Sequence, residues 1–167
     1  MGRVPYWIES VLGVEGVERV TVTEANRITE LLKSARNIAV VGLTDNPLRP
    51  SYGVSRYMSA QGYHIIPVNP NISEWLGQQA YASLLDVPEK IDIVDIFRRS
   101  DAVPEIIEQA IMLKVPAVWM QEGVVHHQAA EKAREAGILV VMDRCILKEH
   151  RRITRCDPKE RQAISKT

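Results

Sequence analysis

The chain has 167 residues, of which 46% are hydrophobic and 25% charged, and its 21 basic and 21 acidic side chains leave no formal net charge. This length is typical of one domain with a sizeable core, and the balanced charge offers no general attraction for nucleic acid or membrane surfaces. No apolar run is long enough to span a bilayer, and the first residues lack the apolar segment of a signal peptide. We therefore expect a cytoplasmic protein that contacts neither nucleic acid nor membranes.

Residues 1–36 are predicted to form an N-terminal helical extension. Apolar side chains at helical spacing predict one helix over residues 4–13. A second helix is expected to begin near Thr23, a residue type that caps helices, with Ile28 and Leu32 on one face. Neither helix belongs to the repeating pattern that follows.

From residue 37 onward, short apolar runs alternate with helical patterns. The predicted strands cover residues 38–41, 63–68, 91–96, 117–120 and 138–142. The predicted helices cover residues 53–61, 103–112, 125–136 and 143–152. This alternation is typical of an α/β fold with three layers, in which a Rossmann-like, doubly wound parallel sheet is covered on both faces. The predicted domain spans residues 37–152, and a polar C-terminal tail follows over residues 153–167.

Doubly wound sheets bind ligands at the carboxyl ends of their strands, where the strand order reverses. The first strand ends in Gly42, followed by Leu43 and Thr44, and Arg49 lies in the next loop. Glycine permits a sharp turn, and backbone amides, a hydroxyl and a guanidinium can together hold a phosphate. A glycine at such a turn can equally be structural. The loop lacks the G-x-G-x-x-G pattern of dinucleotide-binding enzymes.

Asn69 ends the second strand, at the place where NAD-dependent dehydrogenases usually carry an acidic residue for the ribose hydroxyls. Its amide can bond a hydroxyl, or it can simply form a turn before Pro70. Pro67 and Pro70 make this edge rigid and unlike the usual NAD pattern.

An aromatic side chain and two arginines follow the third predicted strand. Phe97 can stack on a purine, and Arg98 and Arg99 can pair with phosphate. The alternative is that Phe97 covers the core while both arginines are solvated. Asp92 and Asp95 stand inside this strand, where carboxylates are unusual, and the pattern assigns them no role.

The fourth strand ends in Gln121, a neutral polar group that can read an amide or a base edge. Gly123 after it lets a ligand approach closely. His126 and His127 lie just beyond. Because adjacent histidines on a helix point to different sides, we predict no metal site here.

At the end of the fifth strand, we expect Asp143 to be the N-cap of the last helix. Cys145 then lies in the first helical turn, where it can face a ligand's thiol. Alternatively, Cys145 is a small buried residue. A thiol enzyme would need a base near Cys145, for which His126 is the available histidine. We expect Cys145 and Cys156 to be reduced.

Six segments of the chain resemble, in order, the small single-domain CoA-binding proteins. They are VGLTDNPLRPSY (41–52), GYHIIPVNPN (62–71), YASL (81–84), IDIVDIFRR (91–99), VWMQ (118–121) and VMDRC (141–145). These proteins are similar to the N-terminal domain of the succinyl-CoA synthetase alpha subunit. The resemblance covers residues 37–152 and implies a Rossmann-type fold that binds coenzyme A (CoA).

The resemblance also implies how CoA lies on the sheet edge. The phosphates lie against residues 42–44, the adenosine end runs toward residues 68–69 and 97–98, and the pantetheine arm passes Gln121 and Gly123. The implied CoA-binding residues are Gly42, Leu43, Thr44, Arg49, Tyr52, Pro67, Val68, Asn69, Phe97, Arg98, Arg99, Gln121, Gly123 and Cys145.

In the synthetase, ligation also needs a second domain with a phosphorylated histidine and a beta subunit, and this chain has no room for that domain. The resemblance therefore implies binding of CoA or an acyl-CoA without ligase chemistry, with no catalytic residue and no metal. Self-association and a protein partner stay open. The alternative is an NADP-binding oxidoreductase-like protein, since arginines also suit a 2′-phosphate. That class predicts a G-x-G-x-x-G loop and a substrate domain, and the sequence shows neither.

Overall fold

The computed structural model describes residues 23–156, so the helix predicted over residues 4–13 and the tail beyond residue 156 lie outside the described part. The strands are β1 (Asn37–Val41), β2 (His64–Val68), β3 (Glu74–Trp75), β4 (Gln78–Gln79), β5 (Ile93–Ile96), β6 (Ala117–Met120) and β7 (Leu139–Val141). The helices are α1 (Glu24–Ser34), α2 (Pro50–Ala60), α3 (Val103–Met112), α4 (His127–Glu135) and α5 (Ile146–Cys156). No helix in residues 23–156 combines the length and the apolar character that crossing a bilayer requires.

Five strands form one parallel sheet in the order β2-β1-β5-β6-β7, and β3 and β4 form a separate antiparallel hairpin. Alternate strand residues point to opposite faces, so α1, α2 and α5 cover one face while α3 and α4 cover the other. The expected three-layer, doubly wound α/β fold is confirmed. The chain runs outward from β1 to β2 and then crosses back to β5. This reversal of strand order opens a crevice at the carboxyl ends of β1 and β5.

Helix α1 begins where the sequence predicts. The Thr23 hydroxyl oxygen accepts a hydrogen bond from the Asn26 amide at 3.2 Å, as in an N-cap. Ile28 and Leu32 are 0% and 3% exposed and pack in the core on the α2 and α5 face. This part of the N-terminal extension therefore contributes to the core of the sheet domain.

Two further helices begin at residues other than those predicted, each for a local reason. Helix α2 begins at Pro50 instead of Gly53, because proline suits the first helical turn, where its missing N–H is not needed. Helix α4 begins at His127 instead of residue 125. His126 is its N-cap, since its Nδ1 accepts a hydrogen bond from the Ala129 amide at 3.1 Å.

The last helix, α5, begins and ends later than predicted. Asp143 is not its N-cap. This residue lies outside the helix with a φ of 57°, and its Oδ1 accepts a hydrogen bond from the Gly123 amide at 2.8 Å. Cys145 directly precedes the helix instead of lying in its first turn. The helix continues to Cys156, and Ile153 in its last turns is buried in the core.

Gly42 allows β1 to turn away from the sheet at the reversal point. Its φ is 91°, and a Cβ at this position would lie 2.5 Å from the Phe97 carbonyl oxygen and 2.9 Å from Arg98 Cδ. A side chain of any size would therefore push the ends of β1 and β5 apart. The glycine is required by both its backbone conformation and this close approach.

We predict that Gly42→Ala lowers the free energy of unfolding by about 3 kcal/mol or more, because the new methyl group meets backbone atoms that cannot move aside. Gly62→Ala is the matched control, since Gly62 has a φ of 96° and no atom lies within 4 Å of the position that its Cβ would take. It carries backbone strain alone and should cost about 1 kcal/mol. Urea unfolding measures both values, and equal losses would contradict the role given to the Phe97 contact.

Candidate functional site

A cleft of about 620 Å³ opens over the carboxyl ends of β1, β5 and β6, beside the start of α2 and the residue before α5. This volume is in the range of small-molecule sites. The predicted site residues that line it are Gly42, Thr44, Arg49, Asn69, Phe97, Arg98, Arg99, Gln121 and Cys145. The lining residues that the sequence analysis did not single out as site residues are Pro50, Ser51, Val54, Asn71, Glu122 and Val124.

The start of α2 forms a polar wall of the cleft. Arg49 is the N-cap residue, but its side chain makes no capping hydrogen bond. The Thr44 hydroxyl oxygen is buried and has no hydrogen-bond partner among the described residues, and Ser51, 4% exposed, lies in the same wall. Pro50 has no amide N–H and the Tyr52 amide donates to the Arg49 carbonyl at 3.1 Å, so the Ser51 amide and the two hydroxyl groups are the groups of this wall that suit an anion. Pro50 in the sequence, as a first-turn signal, would have placed Ser51 at this helix start.

The charges at the cleft leave a positive excess. Arg99 pairs with Asp101 at 3.1 Å, and Lys148 pairs with both carboxylate oxygens of Glu122 at 2.7 and 2.9 Å. The hydrogen bond and the charge of Glu122 raise the pKa of Lys148. Arg49 and Arg98 make no ion pair with any described residue. These two exposed guanidinium groups are therefore available to an anionic ligand.

Asn69 holds two loops together, in agreement with its interpretation as a turn residue. Its Nδ2 donates to the Leu43 carbonyl at 2.9 Å, and its Oδ1 accepts from the Asn71 amide at the same distance. The Leu43 side chain is fully buried in the core, so only its backbone borders the loop. Asn69 thus shapes the rim of the cleft with both ends of its amide already bonded.

Four other predicted residues, Tyr52, Pro67, Val68 and Gly123, do not line the cleft. Tyr52 packs edge to face on Trp75, with ring centroids 5.9 Å apart. Pro67 lies within β2, and Val68 borders a smaller cavity of about 180 Å³ on the α3 side of the sheet. The Gly123 amide is bonded to a carboxylate in the loop before α5. Their roles in binding stay predictions.

The two aspartates near β5 have different roles. Asp92 precedes the strand, and its Oδ2 accepts hydrogen bonds from the Arg36 and Asn37 amides at 2.9 and 3.0 Å. Burial favours a higher pKa for Asp92, but hydrogen bonds from these amides and from Lys90 lower it overall. Asp92 therefore joins the start of β1 to the start of β5, at the amino ends of the strands, opposite the cleft.

Asp95 lies inside β5, below the floor of the cleft, and is 1% exposed. Its Oδ1 accepts a hydrogen bond from Gln121 Nε2 at 2.7 Å. Burial raises the pKa of Asp95 from 3.8 to about 7, against the opposite effect of hydrogen bonds from Gln121 and the Ile96 backbone. A carboxyl group that titrates near neutral pH therefore lies directly behind a cleft residue.

We predict that Asp95→Asn changes the pH dependence of stability. The native state of the wild type holds the Asp95 proton more tightly than the unfolded chain. Its contribution is therefore complete below the unfolded pKa and is lost as the pH rises through about 7. Relative to the variant, the wild type should lose about 2 to 3 kcal/mol of unfolding free energy between about pH 5 and about pH 8.

Asp92→Asn is the matched control for this measurement. Because the pKa of Asp92 is lowered in the native state, its titration is complete below the tested range. Urea unfolding at several pH values should therefore give a constant difference from wild type for this variant. A constant difference for Asp95→Asn as well would contradict the raised pKa of Asp95.

Cys145 is half-buried and lines the cleft directly before α5. His126, the histidine considered as its base, is engaged as the N-cap of α4, and no described histidine lines the cleft. Within residues 23–156, no three His, Cys, Asp or Glu side chains come together as a metal-binding group. The arrangement places the thiol in a binding cleft with no imidazole beside it.

The family model described as "CoA binding domain" matches residues 36–151. The chain belongs to this family. The uncharacterized protein YneT of Bacillus subtilis (strain 168) is 45% identical over 123 residues, which is 74% of this chain and 91% of YneT. The solved structure of cell-free ID.343 from Thermus thermophilus has 42% sequence identity and a TM-score of 0.74, and the match covers 77% of this chain and 98% of that one.

A much larger enzyme contains a related region. The ADP-forming acetate–CoA ligase II of Archaeoglobus fulgidus is 27% identical over 99 residues, which is 54% of this chain and 15% of the ligase. The chain thus matches 91% of the length of YneT and 15% of the length of the ligase. The resemblance carried by the six sequence segments is confirmed at the level of the family.

Proposed function

We propose that this protein binds CoA or an acyl-CoA in the cleft, as a stand-alone module without ligase chemistry. The observation that carries the proposal is the pair of guanidinium groups, Arg49 and Arg98, which border the cleft without an ion-pair partner among the described residues. CoA carries a diphosphate and a 3′-phosphate, and guanidinium groups bind phosphate oxygens through paired hydrogen bonds. The family membership supports the same ligand.

The distribution of polar groups supports one direction for the ligand. The unpartnered Thr44 hydroxyl and the uncapped start of α2 suit the diphosphate. Arg98 borders both the cleft and the smaller cavity beside Val68, so an adenosine end there would keep its 3′-phosphate near this arginine. The pantetheine arm then extends over Gln121 toward Cys145.

Binding without catalysis is part of the proposal. The match to the Archaeoglobus ligase covers 15% of that enzyme, so most of the ligase has no counterpart in the match. No described histidine lines the cleft to serve as a base or a phosphate carrier. A role as a carrier, a sensor or a redox partner for CoA agrees with such a module. Self-association and a protein partner stay open, and a cytoplasmic location stays a prediction.

An NADP-binding function is the second candidate, because Arg49 and Arg98 also suit a 2′-phosphate. The reversal of strand order between β1 and β5 is compatible with either nucleotide. Parallel titrations of the full chain with CoA, acetyl-CoA and NADPH, by native mass spectrometry and calorimetry, distinguish the two. Tighter binding of NADPH, or no binding of CoA, would contradict the proposed function.

We predict that Arg98→Ala weakens CoA binding by roughly five- to tenfold, because an exposed guanidinium contributes part of the energy of a charge-assisted hydrogen bond. Arg56→Ala is the matched control. Arg56 is exposed on α2 and does not line the cleft. Its removal changes the net charge of the protein by the same amount as Arg98→Ala but leaves the cleft intact. Calorimetric titration with CoA measures both variants, and equal affinities would remove Arg98 from the site.

We also predict that saturating acetyl-CoA, whose sulfur is a thioester and does not react with iodoacetamide, slows alkylation of Cys145 by this reagent by about fivefold or more, since a ligand in the cleft covers the Cys145 thiol. Cys156 is the internal control, because it is exposed at the end of α5 and does not line the cleft. Peptide mass spectrometry quantifies both thiols in one sample. Equal rates at Cys145 with and without bound acetyl-CoA would place the pantetheine arm elsewhere.

A further inference from the structure

Asp95 and Gln121 form a buried polar pair between the sheet interior and the cleft. They are 1% and 4% exposed, and Gln121 Nε2 donates to Asp95 Oδ1 at 2.7 Å. Gln121 lines the cleft, whereas Asp95 does not. The side chain of Gln121 therefore lies between Asp95 and a ligand in the cleft. A buried carboxyl group lowers the stability of the native state unless it is well hydrogen-bonded. A buried aspartate with one side-chain hydrogen bond, from Gln121, therefore calls for a physical explanation.

The chemistry of Asp95 determines which end of the Gln121 amide faces the cleft. An ionised carboxylate can only accept hydrogen bonds, so it holds the Nε2 group of Gln121 and turns Oε1 the other way. No described residue donates a hydrogen bond to Gln121 Oε1. The floor of the cleft thus presents a hydrogen-bond acceptor without a protein donor.

We propose that Asp95 is a positioning residue that turns the Gln121 carbonyl oxygen into the cleft, where it selects a ligand carrying an amide N–H. This inference rests on the proposed binding of CoA, whose pantetheine arm contains secondary amides. Recognition of the arm by Gln121 is separate from recognition of the nucleotide by Arg49 and Arg98. The two ends of the ligand can therefore be tested independently.

Protonation of Asp95 removes this constraint. A neutral carboxyl group can donate its O–H to Gln121 Oε1 as well as accept from Nε2, so part of the population turns the Nε2 group toward the cleft. A donor in place of an acceptor does not match an amide N–H of the ligand. Because burial raises the pKa of Asp95 to about 7, affinity for the pantetheine arm should fall as the pH drops through neutrality.

Other groups that titrate or carry charge near this pair must be separated from Asp95. Val40 and Trp119 are its neighbours in register on β1 and β6 and do not titrate. The ionisable side chains that line the cleft from the surrounding loops and helix starts are Arg49, Arg98, Arg99, Glu122 and Cys145. Lys148 of α5 is paired with Glu122. The phosphates of CoA also titrate near neutrality. All of these remain in the Asp95→Asn protein, so the difference between the two proteins isolates Asp95.

The test compares two ligands on the full chain. One is CoA, and the other is adenosine 3′-phosphate 5′-diphosphate, which carries the same phosphates without the pantetheine arm. At about pH 8.5, Asp95→Asn should weaken CoA by about fivefold and leave the nucleotide unchanged, because one neutral hydrogen bond is affected. Between about pH 8.5 and about pH 6, the affinity of the wild type for CoA should fall about fivefold more than its affinity for the nucleotide. The Asp95→Asn protein should show no such difference between the two ligands.

A double-mutant cycle tests whether Asp95 acts through Gln121. Gln121→Met keeps the size of the side chain and removes the acceptor, so it should reproduce the loss for CoA and abolish the extra pH dependence. Adding Asp95→Asn to Gln121→Met should then cost no further CoA affinity. Gln121→Met also serves as the readout if the substitution of Asp95 prevents folding. Asp92→Asn is the control that should bind CoA like the wild type, because Asp92 lies at the amino ends of the strands, opposite the cleft.

The outcomes separate the two proposals. If CoA binds the wild type but its affinity is unchanged in Asp95→Asn, or if both ligands weaken equally, the positioning role is overturned and CoA binding stands. Additive losses in the double-mutant cycle also overturn it. If neither CoA nor the nucleotide binds the wild type, the proposed function fails and the positioning role fails with it.

Discussion

The close contact between Gly42 and the backbone of Phe97 is the constraint on which the site depends. The two residues directly follow β1 and β5, which lie side by side where the strand order reverses. Because Gly42 has no side chain, the chain turns at once, and the Arg98 side chain lies across the turn. The loop that follows then leads to the uncapped start of α2 above the same edge. One residue without a Cβ thus serves both the packing of the sheet and the shape of the cleft.

The electrostatic potential in the cleft depends on which charged side chains form ion pairs, and less on how many charged side chains are present. The whole chain is neutral, and exposed ion pairs such as Arg99–Asp101 contribute little to stability. Their effect here is on the local field. Lys148 neutralises Glu122, the carboxylate of the cleft, so Arg49 and Arg98 dominate the potential that a ligand meets. A neutral protein can in this way offer an anion site in one place.

The buried pair of Asp95 and Gln121 departs from the rule that strands inside a parallel sheet are apolar. The raised pKa of Asp95 shows that the native state carries a cost at neutral pH that an apolar residue would avoid. Such local costs are often found at functional sites, where geometry matters more than stability. Asp92 differs, since its carboxylate accepts hydrogen bonds from three donors and has a structural role at the amino ends of the strands.

The sequence by itself determined the α/β class, the five sheet strands to within two residues at each end, and the polar residues at the strand ends, because periodicity and glycine or proline signals are local. It also indicated the CoA-binding family through ordered segments. The tertiary structure alone decided which polar groups meet. Asp143 accepts a hydrogen bond from the Gly123 amide instead of capping α5, the Asn69 side chain donates to the Leu43 carbonyl, and Asp95 accepts from Gln121. These partners are about 20 or more residues apart along the chain, and only the order and register of the strands bring them within bonding distance.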